Sequence, residues 1–418
     1  MHDHYAYVDD NDAIIVSIMM NLATCACLLV LLLDPMPRNP SLFEQRLKWD
    51  AFQQRHGHRR DFKRHIRLPS VDAFNKLLGW IKHDLLVNEQ MVSLRGGAIL
   101  PELQLYCALR WLAGGSYSDI KYMTGISTAS FYFVVWKVIR AINSCPELDL
   151  VFPQSDEECK EASRGFESIS DHGAIWRCVS VVDGYFLHTR TPPKRLVPNV
   201  RSFFSGHYQQ TGVNVQAAAD HHCRFQFVGV AGPGVMGDRT AIHEVELGGL
   251  IERLPGMFFA IGDCAYTPTE HLVPIFGGEQ AKIGKHDRFN FYASQLRIRI
   301  EMAFGLMVKK WGILQRPMIC GLHNVKHVIC CIARLHNFVI NERLVGKAQS
   351  VVHTPRDVAF DSHTEALRDL ATHIEFNDMV EKCEAAWSKN RDLVVGEIVA
   401  LQINRPGTTN IRKRKNEQ

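Results

Sequence analysis

Residues 258–267, FFAIGDCAYT, run through five positions without a polar side chain and then end on Asp263. A short apolar run bounded by glycine and polar residues reads as a strand of the fully buried type. Parallel sheets collect their functional groups at the carboxyl ends of the strands, so an acid that closes a buried strand faces a crevice. The other elements must therefore supply the sheet that buries this strand and the chemistry that makes a carboxylate useful at its end.

The flanking segments supply the sheet. WRCVSVVDGYFLHTR, residues 176–190, alternates and is rich in valine and aromatics, and RSFFS, GVNVQAAAD and RFQFVGVAG follow at turn-bounded intervals. DRTAIHEVELGGLIERL then reads as a helix entered at Asp238, with Asp238 as its N-cap. The apolar strand comes next, and a long helix is expected from about residue 290 to 310. Three strands, a helix, a fourth strand and another helix is the order of an RNase H-like core. The fold class expected is α/β, a mixed sheet flanked by helices, preceded by an α-helical subdomain.

That subdomain lies upstream. SVDAFNKLLGWIKHDL starts at Ser70 in N-cap position and repeats its apolar residues at spacings of three and four. A second helix runs to Ala113 and stops at Gly114-Gly115; a short one opens at Ser116, turns at Gly125, and a long one opens at Ser127 or Thr128. A short helix, a glycine turn and a long helix make a helix-turn-helix-like arrangement, which also fits an ordinary bundle because the last helix is very apolar.

With 418 residues, 46% apolar and 22% charged, the chain can bury a sizeable core over two domains or one elaborated domain. Its net charge of +4 permits nucleic acid as a partner without demanding it. Twelve irregularly spaced cysteines without a C-x-x-C pair fit a reduced intracellular chain. Cys330-Cys331 with His336, and His221-His222-Cys223, are poor zinc sets, because adjacent residues point in different directions. The boundaries expected are 1–50, an apolar N-terminal helix and linker; 51–145, a basic segment and the helical subdomain; 146–343, the α/β domain; and 344–418, a helix-and-loop extension with a basic tail. Residues 13–33 are long and apolar enough to cross a bilayer, yet an acidic leader precedes them, and a buried or partner-binding helix fits as well. The run QRHGHRRDFKRHIR, residues 54–67, reads as a solvated face or as a phosphate-tracking patch.

On the expected sheet Asp183 lies within the first strand, Asp263 ends the fourth, and Glu301 sits on the helix that crosses both. Any one of these acids alone is an ordinary cap or ion-pair partner; their order and spacing set them apart. Converging carboxylates raise one another's pKa unless a cation neutralises them. Hard oxygen donors suit Mg²⁺ or Mn²⁺, and two such ions about 4 Å apart activate a water or a 3′-hydroxyl for in-line displacement at phosphorus.

The segments VSVVDGYFLHTR, FSGHYQQTGVNVQAAADHHCRFQFVGVAGPG, FFAIGDCAYTPTEHLVPIF, NFYASQLRIRIEMAFGLMVKKWGIL and CCIARLHNFVINE together resemble the DDE domain of PIF/Harbinger transposases and the nucleases derived from them. The resemblance runs from about 175 to 343, with a weaker likeness in the helices before it. It implies that Asp183, Asp263 and Glu301 are catalytic and hold two divalent ions, Mg²⁺ or Mn²⁺, and that Asp238 is a further acid near the site. Arg297, Arg299, Lys309 and Lys310 are candidates for DNA phosphate contacts or a solvated face. His207 and Tyr208 stand where that family often carries a basic residue after the histidine. The implied activity is metal-dependent DNA cleavage in the nucleus on transposon ends and a target site. The implied partners are a separate Myb-like DNA-binding protein and, for a homo-oligomer, a second copy; a membrane is the less favoured partner. A domesticated, inactive DNA-binding or scaffold protein is the alternative.

Overall fold

In the computed structural model, which describes residues 18–22, 46–57, 60–87, 97–349 and 388–402, the apolar run is β5, Phe259–Gly262, buried at every position. It lies between β1, Cys178–His188, and β6, Leu272–Pro274, and is parallel to both. On its other side β1 pairs antiparallel with β3, Gln210–Ala219, which pairs antiparallel with β4, Phe225–Pro233; the two-residue β2, Phe204–Ser205, continues beside the start of β3. The order β4-β3-β1-β5-β6, with the last three parallel, is the RNase H-like arrangement expected from the element order. The short β6 was not anticipated, its three residues being too few to show a pattern.

The chain divides into two units, 1–45 and 46–418. Of the first, only residues 18–22 are described, and they are helical. The expectation for residues 13–33 otherwise lies outside the described residues, as do the basic tail and the amphipathic stretch before 388. Among the described residues no single helix is long and apolar enough to cross a membrane.

In the second unit the upstream helices follow their caps. The basic run is largely helical, in α1, Trp49–His56, and α2, Arg60–Ile66. Helix α3, Val71–Ile81, begins where Ser70 accepts the Ala73 N–H at 3.0 Å, and α4, Pro101–Leu112, ends at the two glycines. Helices α5, Tyr117–Thr124, and α6, Thr128–Asn143, are capped by Ser116 and Ser127 and joined through Gly125 at φ 66°. Their 102° bend lies within the range of a helix-turn-helix. The outer side of α6 is aromatic, with Tyr132 and Phe133 exposed.

Helices cover both faces of the sheet. One face packs on α7, Asp156–Glu167, and on α8 and α9, Asp238–Glu244 and Glu246–Glu252. The segment expected as a single helix breaks at Val245, which is extended (φ −119°, ψ 162°). The other face packs on α10, Gly284–Lys310, and α11, Leu322–Gln349. The α10–α11 layer also buries α3, α4 and α6, so the expected boundary at 145/146 is no break in the core. Helix α12, Lys389–Ala400, adds Val394, Val395 and Ile398 to that core, and Glu397 takes a bidentate pair at 2.8 Å from Arg177, just before β1.

Two local devices fix the layers. In the LHN stretch Asn337 accepts the Phe225 N–H and donates to its carbonyl, both at 2.7 Å, so a side chain completes the start of edge strand β4. His336 Nε2 meets the Cys223 carbonyl at 2.8 Å, which occupies the ring in a structural role. Where the helical region meets the end of α10, Gly114 (φ 96°) and Gly312 bring their backbones together, and a Cβ on Gly312 would stand 2.6 Å from the Ala113 carbonyl oxygen. Gly312→Ala should therefore force a backbone shift and lower stability by about 1–3 kcal/mol, read by urea unfolding.

Candidate active site

The register of β1 and β5 places the first two acids. Val181 and Ile261 are parallel partners, both packed toward α10. Side chains alternate along a strand, so two residues further on Asp183 and Asp263 share that same face, at the carboxyl ends of neighbouring strands. A register shift between Cys178 and Ser180 helps set this facing. Each acid is aimed by the adjacent backbone: the Gly184 N–H donates to Asp183 Oδ1 and the Ala265 N–H to Asp263 Oδ1, both at 2.9 Å.

Helix α10 brings Glu301 and Arg297 over this edge. Four residues apart, the two share one side of the helix, and Arg297 Nη2 lies 2.6 Å from Glu301 Oε1. Nη1 of the same guanidinium lies 3.6 Å from Asp183 Oδ2, so Arg297, only 8% exposed, links the sheet acid to the helix acid. Burial and the neighbouring Asp263 push the Asp183 carboxyl well above the usual range; Arg297 opposes this, and Asp238 and Glu301 add to it. Asp263 is also raised, first by burial, while the Ala265 N–H and Arg297 favour its ionised form.

Asp238 corrects its expected role as an N-cap. Gly237 holds that position without a side-chain cap, and Asp238 is the first residue of α8. Its carboxylate instead reaches the sheet, where Oδ1 accepts from Asn214 Nδ2 at 2.9 Å and Gln216 Nε2 at 2.8 Å. A Cβ on Gly184 would fall 2.0 Å from that oxygen, so the glycine after Asp183 makes room for the fourth acid. The buried Tyr266 hydroxyl donates to Gln216 Oε1 at 2.7 Å and fixes the amide that holds Asp238. The alternating polar pair in GVNVQAA was a visible signal, because Asn214 and Gln216 interrupt an otherwise buried strand at period two.

The basic candidates separate. Arg297 is turned into the acid cluster rather than onto an open face. Arg299, two residues on and so on the far side of α10, lies beside Cys223, His221 and His222 at the β3–β4 turn. Lys309 is exposed, while the Lys310 ammonium is lowered to about 7 by burial and by Arg343 and Arg67.

Among the described residues no group of three or more His, Cys, Asp or Glu side chains already stands in an arrangement that could hold a metal ion. The donors nevertheless fit a hard divalent cation by chemistry: they are carboxylate oxygens, and Asp183 and Asp263 are raised by mutual repulsion that a cation relieves. The arrangement presents anionic oxygens from three elements at the carboxyl edge of a parallel sheet, as metal-assisted phosphoryl chemistry requires.

Comparison with curated proteins and with solved structures gives no match. Residues 182–337, from the residue before Asp183 to Asn337, match a family model and form a DDE superfamily endonuclease domain.

Proposed function

We propose that this chain is a divalent-metal-dependent DNA endonuclease of the Harbinger transposase type, with Asp183, Asp263 and Glu301 as its catalytic acids. The observation that carries the reading is the shared facing of Asp183 and Asp263 on neighbouring parallel strands beneath Glu301. Mg²⁺ or Mn²⁺, as a pair of ions, would supply Lewis-acid activation of a water or 3′-hydroxyl and stabilisation of the leaving oxygen. Asp183, Asp263 and Glu301 are the residues that would hold them. The chain's part is to aim these oxygens: Gly184 and Ala265 N–H groups fix the two aspartates, and Arg297 orients Glu301. Asn214 and Gln216 hold Asp238 in reserve beside them. Transposon ends and target DNA as substrates, a Myb-like protein supplying sequence recognition, and a nuclear site of action complete the reading. A second reading, a DNA-binding descendant without cleavage, draws on Arg297, whose guanidinium already neutralises Asp183 and Glu301.

Nicking of supercoiled plasmid separates the two. With Mn²⁺ or Mg²⁺ the wild type should relax the plasmid, and Asp263→Asn should reduce the rate at least about a thousandfold; equal background from both proteins would establish the non-cleaving reading.

The same substitution should act on stability with the opposite sign. A carboxyl with a raised pKa favours the folded state while protonated, and this contribution is lost as pH rises through the folded value. Metal-free Asp263→Asn, which keeps an oxygen for the Ala265 N–H, should therefore melt roughly 1–3 °C above wild type near pH 7.5 and converge with it near pH 4. Mn²⁺ binding should release protons and tighten as pH rises from about 5 to about 8, measured by titration calorimetry in buffers of different ionisation enthalpy.

A further inference from the structure

Near the acid cluster two aromatic rings are stacked for no evident packing need. Residues Gly206–Gln209 form the tip of the β2–β3 hairpin, set by the pairs Phe204–Thr211 and Ser205–Gln210. The tip is pinned locally: the Tyr208 N–H donates to Ser205 Oγ at 3.4 Å, and Gln209 adopts φ 52°. Tyr208 lies nearly parallel to Phe186, with ring centroids 4.6 Å apart and planes 19° from parallel, while His207 meets Tyr208 edge-on at 4.7 Å.

Phe186 is a fixed support. It stands on β1 three residues beyond Asp183, and its register partner Asn214 is the residue that holds Asp238. Two glycines bed its ring, since a Cβ on Gly212 would come within 2.6 Å of Cζ and one on Gly234 within 2.7 Å of Cε2. Tyr208, by contrast, is 52% exposed, an unusual state for a ring resting on an immobile partner. Burial, followed by the negative field of Asp238, Asp183 and Asp263, raises its phenol, which places the ring at the rim of the acid cluster.

The surroundings decide what such a ring can receive. Carboxylates repel a phosphate, so this rim does not suit the sugar-phosphate backbone. A neutral planar group meets no such penalty, and every nucleobase presents a π-face to an aromatic side chain. We propose that Tyr208, backed by Phe186, is a stacking platform for an unpaired DNA base next to the phosphate presented to Asp183 and Asp263. The platform rests on the endonuclease reading and adds to it a preference for substrate whose bases are unpaired beside the cut.

The test uses the full chain with Ca²⁺ in place of Mn²⁺ and fluorescein-labelled duplexes carrying a short gap, built either of thymidines or of abasic nucleotides. Wild type should bind the thymidine gap about tenfold more tightly than the abasic gap by anisotropy. Tyr208→Ala should lose that preference while matching wild type on the abasic gap, which also reports that the variant is folded; Tyr208→Trp should keep it. Retention of the preference by Tyr208→Ala, or wild-type binding of both gaps with equal affinity, would overturn the platform and leave the endonuclease reading standing. Failure of wild type to bind either duplex would overturn both.

Discussion

Like-charge repulsion between Asp183 and Asp263 is the constraint around which the rest of the site is arranged. The two acids are neighbours because β1 and β5 run in parallel with Val181 opposite Ile261, and no side-chain movement separates residues that a strand register has brought together. Everything near them limits the cost: two backbone N–H groups, an arginine from α10, and a glycine that keeps Asp238 clear of β1. The raised carboxyls show that this compensation is incomplete. An incompletely neutralised cluster is a poor solution for stability and a good one for recruiting a dication.

Arg297 gives the metal-free protein its own counter-charge. A guanidinium bonded to Glu301 and near Asp183 satisfies part of the demand that a divalent ion would otherwise meet. It is a weaker solution than an ion, since its charge is single and spread over a planar group, and neither aspartate is returned to the ordinary carboxylate range. The same contact explains why the long helix α10 enters the site at one turn only. Arg297 and Glu301 share its inner side, and Arg299, on the other side, is drawn to the β3–β4 turn.

Much of the scaffold was legible from local rules. Ser70, Ser116 and Ser127 cap the helices that their positions foretold, and Gly125 takes the left-handed turn between α5 and α6. The alternating and fully apolar runs became β1, β3, β4 and β5 in the order expected. Failures cluster where a side chain had two local options. Asp238 at a helix start looks like a cap, and only the approach of Asn214 and Gln216 across the sheet edge draws its carboxylate elsewhere. Arg297 looks like a surface cation among several, until packing buries it. The break at Val245 and the three-residue β6 had no periodicity to announce them.

The sequence by itself determined the element order, the caps and the presence of acids at strand ends, because these depend on periodicity and on contacts within a few residues. Tertiary structure decided which charges meet. Helix α10 crosses β1 and β5 so that residues more than a hundred positions apart share one guanidinium, and the β2–β3 hairpin lays Tyr208 on a strand that it does not hydrogen-bond. Such meetings follow from how layers pack and in what register, and spacing along a chain carries no record of either.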